Sequence, residues 1–153
     1  KGKFEDVDIS DVIKKVHDAD IEVIANYLFG LPGDDMDSMQ TTLDLSFELN
    51  TAAWNAYPVM ALPGSTLYKK ARDEGITVPQ TYSGYSFHAE DTLPLPTKYL
   101  SPGKVLKFRD EAFLKYHSHK PFLDRIEKKW GRTPVENIKT LTKVKLKRNI
   151  KEY

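Results

Sequence analysis

The feature that most restricts the fold is a pair of short apolar runs, Ile21 to Phe29 and Trp54 to Met60, with one stretch of helical period between them. The first run is β-branched and aromatic, carries no helical stripe and stops at Gly30-Leu31-Pro32-Gly33, so it is predicted to be a strand. In the stretch between, Asp37 and Gln40 make a capping-box pattern, and Met36, Met39, Leu43, Phe47 and Asn50 mark one face of a helix. A strand, a helix and a strand this close together form a βαβ unit, which requires parallel strands joined by a crossover. The first strand is predicted to be buried on both faces.

Around this unit the chain divides by pattern. Asp8 is placed to cap a helix with Ile9, Val12, Ile13 and Val16 on one face. After the second run, Ala61 to Thr66 turns the chain, and Leu67 to Glu74 reads as a short helix ending at Gly75. From Ile76 to Pro102 prolines and aromatics alternate without a period, as in a long irregular arm; such arms are functional or wrap a surface. Ser101 caps a predicted helix through Val105, Phe108, Ala112, Phe113 and Tyr116. Phe122, Leu123, Ile126 and Trp130 mark another, and Thr133 caps a third through Val135, Ile138 and Leu141. The expected layout is an α/β part over 1–75, an arm over 76–100 and a helical extension over 101–153.

Composition bounds the chemistry. The 153 residues suffice for one core, and 23 basic against 22 acidic side chains leave a net charge of +1. The apolar runs fall short of the roughly 20 residues of a membrane helix, and no charged-then-apolar leader opens the chain, so a cytoplasmic location is expected. The start at Lys1, without methionine, is expected of an excised piece. With no cysteine, the chain itself offers no disulfide, thiolate nucleophile, zinc ribbon or cysteine-ligated iron-sulfur cluster. His117 and His119 do not share a helix face, and His17 and His88 have no partner at a metal-like spacing, so no metal site is predicted. The basic stretch Lys139, Lys143, Lys145, Lys147, Arg148 and Lys151 lacks interleaved aromatics and is expected to be a solvated helix face rather than a nucleic-acid contact. No Ser-His-Asp set and no paired-carboxylate site is present, and no catalytic residue is assigned.

Two places draw attention as binding chemistry. The turn Gly30-Leu31-Pro32-Gly33-Asp34-Asp35 lies between a strand and a helix N-terminus, where parallel α/β folds bind ligands and where glycines let backbone approach closely. Its other reading is a tight turn with Asp34 or Asp35 as helix cap. Within the strands, Asn26 and, two residues apart, Asn55 and Tyr57 are polar groups in apolar runs. Each needs a partner, which is either a ligand or neighbouring backbone. Period two puts Asn26 with Leu28, and Asn55 with Tyr57 and Val59.

The ordered series Asn26-Tyr27-Leu28-Phe29-Gly30-Leu31-Pro32-Gly33-Asp34, then Thr41-Thr42-Leu43, then Leu62-Pro63-Gly64-Ser65-Thr66 resembles the later part of a radical S-adenosylmethionine enzyme core. Leu93 to Leu100 and Val105 to Phe113 resemble the C-terminal extension of the cobalamin-binding subgroup. The resemblance implies an α/β fold, a fragment of a partial TIM-like (β/α) barrel, with this chain supplying the fifth and sixth strands. It also implies a parent that uses S-adenosylmethionine and a 4Fe-4S cluster on a small-molecule substrate, as an oxidoreductase or as a cobalamin-dependent methyltransferase. The CxxxCxxC cluster motif would lie upstream of this chain, which alone performs no radical chemistry. By position, Asn26, Leu28 and Gly30 match the family's adenosyl-holding fifth-strand motif, though this chain has asparagine and leucine where glycine and isoleucine are commoner. Gly33 and Asp34 stand in its turn, and Asp20 occupies a place where the family often has glycine. Val59 would face the cofactor, and Asn55 and Tyr57 the substrate, in the barrel lumen. A fragment of this kind leaves a strand edge exposed for self-association. The alternative is a complete non-enzymatic module that binds a ligand or a partner through the Gly30 to Asp35 turn.

Overall fold

The computed structural model describes residues 6–153; the start at Lys1 and the first five residues of the predicted 1–75 segment lie outside them. Asp8 caps α1 (Ile9–Asp18) by accepting from Asp11 N, as its position predicts. No residue of α1 is fully buried, and Ile9 and Val12 of its apolar stripe stay exposed. Asp20 then takes φ 58°, the left-handed conformation that its short polar side chain tolerates.

The βαβ unit consists of β1 (Ile24–Phe29), α2 (Met36–Leu49) and β2 (Ala53–Pro58), and the two strands pair in parallel with Asn26 opposite Asn55 and Leu28 opposite Tyr57. Both strands are shorter than the apolar runs predicted. Ile21 to Val23 is not strand, and Glu22 there pairs with Arg125 and Lys129 of a later helix. The prediction that β1 is buried on both faces is overturned. Tyr27 and Phe29 are buried, whereas Ile24 is 65% and Leu28 51% exposed. Among the described residues helices cover one side of this sheet only, so the alternation reads as it does in a one-sided sheet.

The cap of α2 is also corrected. Asp35, not Asp37, stands in extended backbone, accepts from Ser38 N and donates its own N–H to Ser38 Oγ, while Gln40 donates to Asp44 instead. The buried stripe runs through Met39, Leu43 and Ser46. Met36 is exposed, and Asn50 ends the helix in the left-handed conformation at φ 41°.

Ser65 caps α3 (Thr66–Asp73), and the arm beyond Gly75 contains a single 3₁₀ turn at Ser83–Tyr85. The C-terminal part holds α4 (Pro102–His117), α5 (Lys120–Trp130) and α6 (Arg132–Leu141). Ser101 caps α4 as predicted, but Thr133 does not cap α6, which begins two residues earlier than that cap implies, at Arg132 behind Gly131 at φ 82°.

Two clusters form the core. The larger packs Tyr27, Phe29, Trp54 and Ala56 of the sheet against Met39 and Leu43 of α2 and Phe108, Ala112 and Tyr116 of α4. The rings of Trp54 and Tyr116 stack at 5.1 Å, and Phe29 meets Phe108 edge to face at 5.1 Å. The smaller cluster joins Val59, Ala61 and Ala71 to Val78 and Leu95 of the arm. The basic stretch after Leu141 is not a helix face, and Arg148 is no solvated charge. Its side chain is fully buried and donates to Asp110, Phe87 O, Ala89 O and Thr92 Oγ1. The described chain is α/β, with six helices and an open sheet of two parallel strands. None of its helices is long and apolar enough to cross a membrane.

Candidate functional site

The sheet face away from the helices gathers four of the predicted residues. Strand pairing sets Asn26 beside Asn55 and Leu28 beside Tyr57 on one surface, and Asn55 Nδ2 donates to Asn26 Oδ1 at 3.2 Å. That single bond leaves each carboxamide with further donors or acceptors on an exposed surface, where a ligand's hydrogen bonds are made without a burial penalty to the free protein. Leu28 and Ile24 give the same face an apolar floor. Tyr57 closes one side by meeting Phe87 of the arm edge to face at 5.3 Å.

Val59 does not join this surface. Although period two aligns it with Tyr57, it is 7% exposed and packed in the smaller cluster, where its carbonyl accepts from Leu95 N. The arm therefore fills the space beneath Val59 with protein.

The turn after β1 is built to close on itself. Asp34 Oδ2 accepts from Gly30 N at 3.0 Å and Leu31 N at 2.9 Å, and Oδ1 accepts from Ser38 Oγ at 3.0 Å. These amides are what an anion would use at such a turn. Here a carboxylate of the chain already holds them, and Asp35 and Asp37 add negative charge at the start of α2. The turn is thus unsuited to phosphate. Asp34 is its internal brace, and Asp35 is the helix cap. Gly30 is required for packing: it sits at φ 87°, and a Cβ would lie 2.5 Å from Val105 Cγ1. Gly33 has no atom within 4 Å of where a Cβ would stand, and its φ is not positive, so neither packing nor backbone demands glycine there.

The residues present fit one part of what the family resemblance implies and not another. Two carboxamides beside a leucine and a tyrosine offer the polar edge and flat apolar surface suited to a purine and its ribose. A cysteine-held cluster has no ligand in this chain, and no group of three or more histidine, aspartate or glutamate side chains among the described residues is arranged to hold a metal.

A second constellation escaped the sequence reading. Arg109 of α4 is 4% exposed, and its guanidinium lies over Phe87 at 4.7 Å and Phe113 at 5.6 Å. It donates through Nε to Ala56 O and through Nη1 to Asp110 Oδ1, both at 2.9 Å. The signal in the sequence was a charged residue between Phe108 and Ala112 of an otherwise apolar helix stripe. Nearby, burial together with the positive charges of Arg109 and Arg148 lowers His88 below the usual histidine range.

Compared with protein-family models, with curated proteins and with solved structures, the chain has no significant match in any of the three.

Proposed function

We propose that this chain is the later part of a radical S-adenosylmethionine enzyme, supplying two adjacent strands of its barrel and a helical extension, with the open sheet face turned to the lumen. The observation that carries the reading is the pairing of Asn26 with Asn55 on an uncovered face, directly before the Gly30 turn, in two parallel strands whose opposite face is sealed by α2 and α4. A barrel strand needs helices outside and a lined interior, and a two-stranded sheet with one sealed and one open face has that division. The turn, the helix and the Leu62-Pro63-Gly64-Ser65 loop follow in the family's order.

In this reading Asn26 and Asn55 orient the adenosyl group by hydrogen bonds, and Leu28 supplies the apolar surface under it. Tyr57, held against Phe87, borders the substrate. Gly30 and Asp34 act through the backbone: they fix where β1 ends and aim its last side chains. S-adenosylmethionine, when bound to a cluster held by upstream residues, supplies reductive cleavage to a carbon radical. The residues of this chain position the reactants and carry no step of the electron transfer.

The experiment is to sequence the gene upstream of residue 1, purify the whole product without oxygen, and measure its iron and its release of 5'-deoxyadenosine under reducing conditions. A CxxxCxxC motif, about four irons per chain and nucleoside release are expected. A colourless product from a gene with no upstream cysteines overturns the reading in favour of a ligand- or partner-binding module.

A further inference from the structure

Between α4 and the C-terminal segment lies a cavity of about 390 Å³, within the roughly 300–1,000 Å³ range of small-molecule sites. Its wall is mostly apolar, with Phe113, Leu114, Leu141, Val144 and Leu146, and Arg109 and Asp110 are among its polar lining.

The charges around Asp110 do not balance. Asp110 accepts from Arg109 Nη1, from Arg148 Nε and Nη2, and from Tyr153 Oη, so its carboxylate is saturated. Arg148 is fully buried and spends its remaining donors on the arm's carbonyls and Thr92. Two enclosed guanidiniums therefore share one carboxylate, and Arg109 Nη2 has no hydrogen-bond partner among the described residues. A buried cation without its own counterion is costly, and a planar guanidinium edge is matched by a carboxylate. Lys145 on the same wall adds positive charge.

We propose that this cavity binds a small apolar carboxylic acid, its carboxylate on Arg109 Nη2 and its hydrocarbon body against Phe113, Leu141, Val144 and Leu146. The site is separate from the open sheet face and does not depend on the function proposed above. It uses the α4 residue whose charge the apolar stripe does not explain.

Octanoate is the probe, titrated into the 153-residue chain by calorimetry and followed in parallel by amide NMR, with octanol and octylammonium as controls. One saturable site is expected, with octanoate roughly tenfold or more tighter than octanol, as a charged hydrogen bond implies, and octylammonium excluded. Arg109→Gln should reduce octanoate to the level of octanol. Because Arg109 also holds Ala56 O, a second variant, Leu146→Trp, tests the site by filling it at a half-buried position and should abolish binding with the amide spectrum otherwise retained. Absence of saturable octanoate binding, equal binding of octanol, or octanoate binding that survives Leu146→Trp overturns the proposal.

Discussion

Gly30 and Val105 touch so closely that a methyl group on the glycine would lie 2.5 Å from Val105 Cγ1. The end of β1 is thereby docked directly onto α4, which links the βαβ unit to the helical extension. Gly30→Ala combines this overlap with a positive φ that alanine resists. A loss of about 2–4 kcal/mol in unfolding free energy is expected by urea denaturation. Adding Val105→Ala should recover part of that loss in a double-mutant cycle, since the overlap is with its side chain. Gly33→Ala, with open space around it, should be nearly neutral.

The brace in the same turn gives a second expectation. Asp34→Ala strips two backbone amides of their acceptor and Ser38 Oγ of one of its two, and should cost about 1–3 kcal/mol. Asp34→Asn keeps one acceptor oxygen and should cost less. Hydrogen exchange at Leu31 should accelerate in both variants, more in Asp34→Ala, while the amides of α4 keep their protection.

Arg148 fastens the C-terminal segment through Asp110, Phe87 O, Ala89 O and Thr92. Arg148→Met removes all of these while keeping much of the side-chain volume, and leaves Asp110 enclosed with fewer donors. The expected penalty is about 3–5 kcal/mol, the range for breaking a buried ion pair. Limited proteolysis should then cut between Thr142 and Tyr153 in the variant before it cuts the wild type.

How far the sequence foretells these features depends on whether their causes are local. Helix caps at Asp8 and Ser101, the buried Met39 and Leu43 of α2 and the stripe of α4 follow from neighbours within two turns, and they are legible as such. The juxtaposition of Asn26 and Asn55 follows from period two once the strands are taken as parallel and in register. The openness of their face does not follow. An apolar run looks the same whether one side of the sheet is covered or both, and Ile24 and Leu28 argue locally for burial that no described element provides. Arg148 is the opposite case: among six basic residues nothing distinguishes it, because its burial is caused by Asp110 and the arm, far away in sequence.

Histidine burial sets the pH dependence. His17, His88 and His117 are each held below the usual histidine value, in every case chiefly by burial. His117, the most enclosed, packs against Trp54, Phe113 and Phe122. A histidine whose folded pKa is depressed binds fewer protons than it does unfolded. Stability is therefore full above about 6.5, the unfolded value, and falls as pH drops toward the folded value. Glu22 acts in the same direction lower on the scale: hydrogen bonds from Lys129 and Arg125 depress its pKa, so its contribution is present above the ordinary carboxylate range and lost as pH falls through the folded value. Urea midpoints should be flat from pH 8 to 7 and decline below about 6.5. His117→Phe should make the decline between pH 6.5 and 5 shallower, and an unchanged slope would assign the loss to other groups.

The outer edge of β1 supplies the last expectation. On the far side of β2, Ala56 O accepts from Arg109 Nε, so a side chain occupies part of that edge. Among the described residues β1 has no strand or side chain bonded to its backbone along the side away from β2, and Ile24 and Leu28 lie exposed beside that edge. An unprotected strand with apolar side chains is a template for pairing with a second copy. The isolated chain should therefore show a mass above that of a monomer in light scattering, rising with concentration in the micromolar range. Ile24→Lys with Leu28→Lys places like charges on the exposed face of both copies and should restore the monomer without loss of the helical signal, because neither side chain belongs to the core. A monomer at all concentrations in the unmodified chain would mean that the edge is already closed to partners.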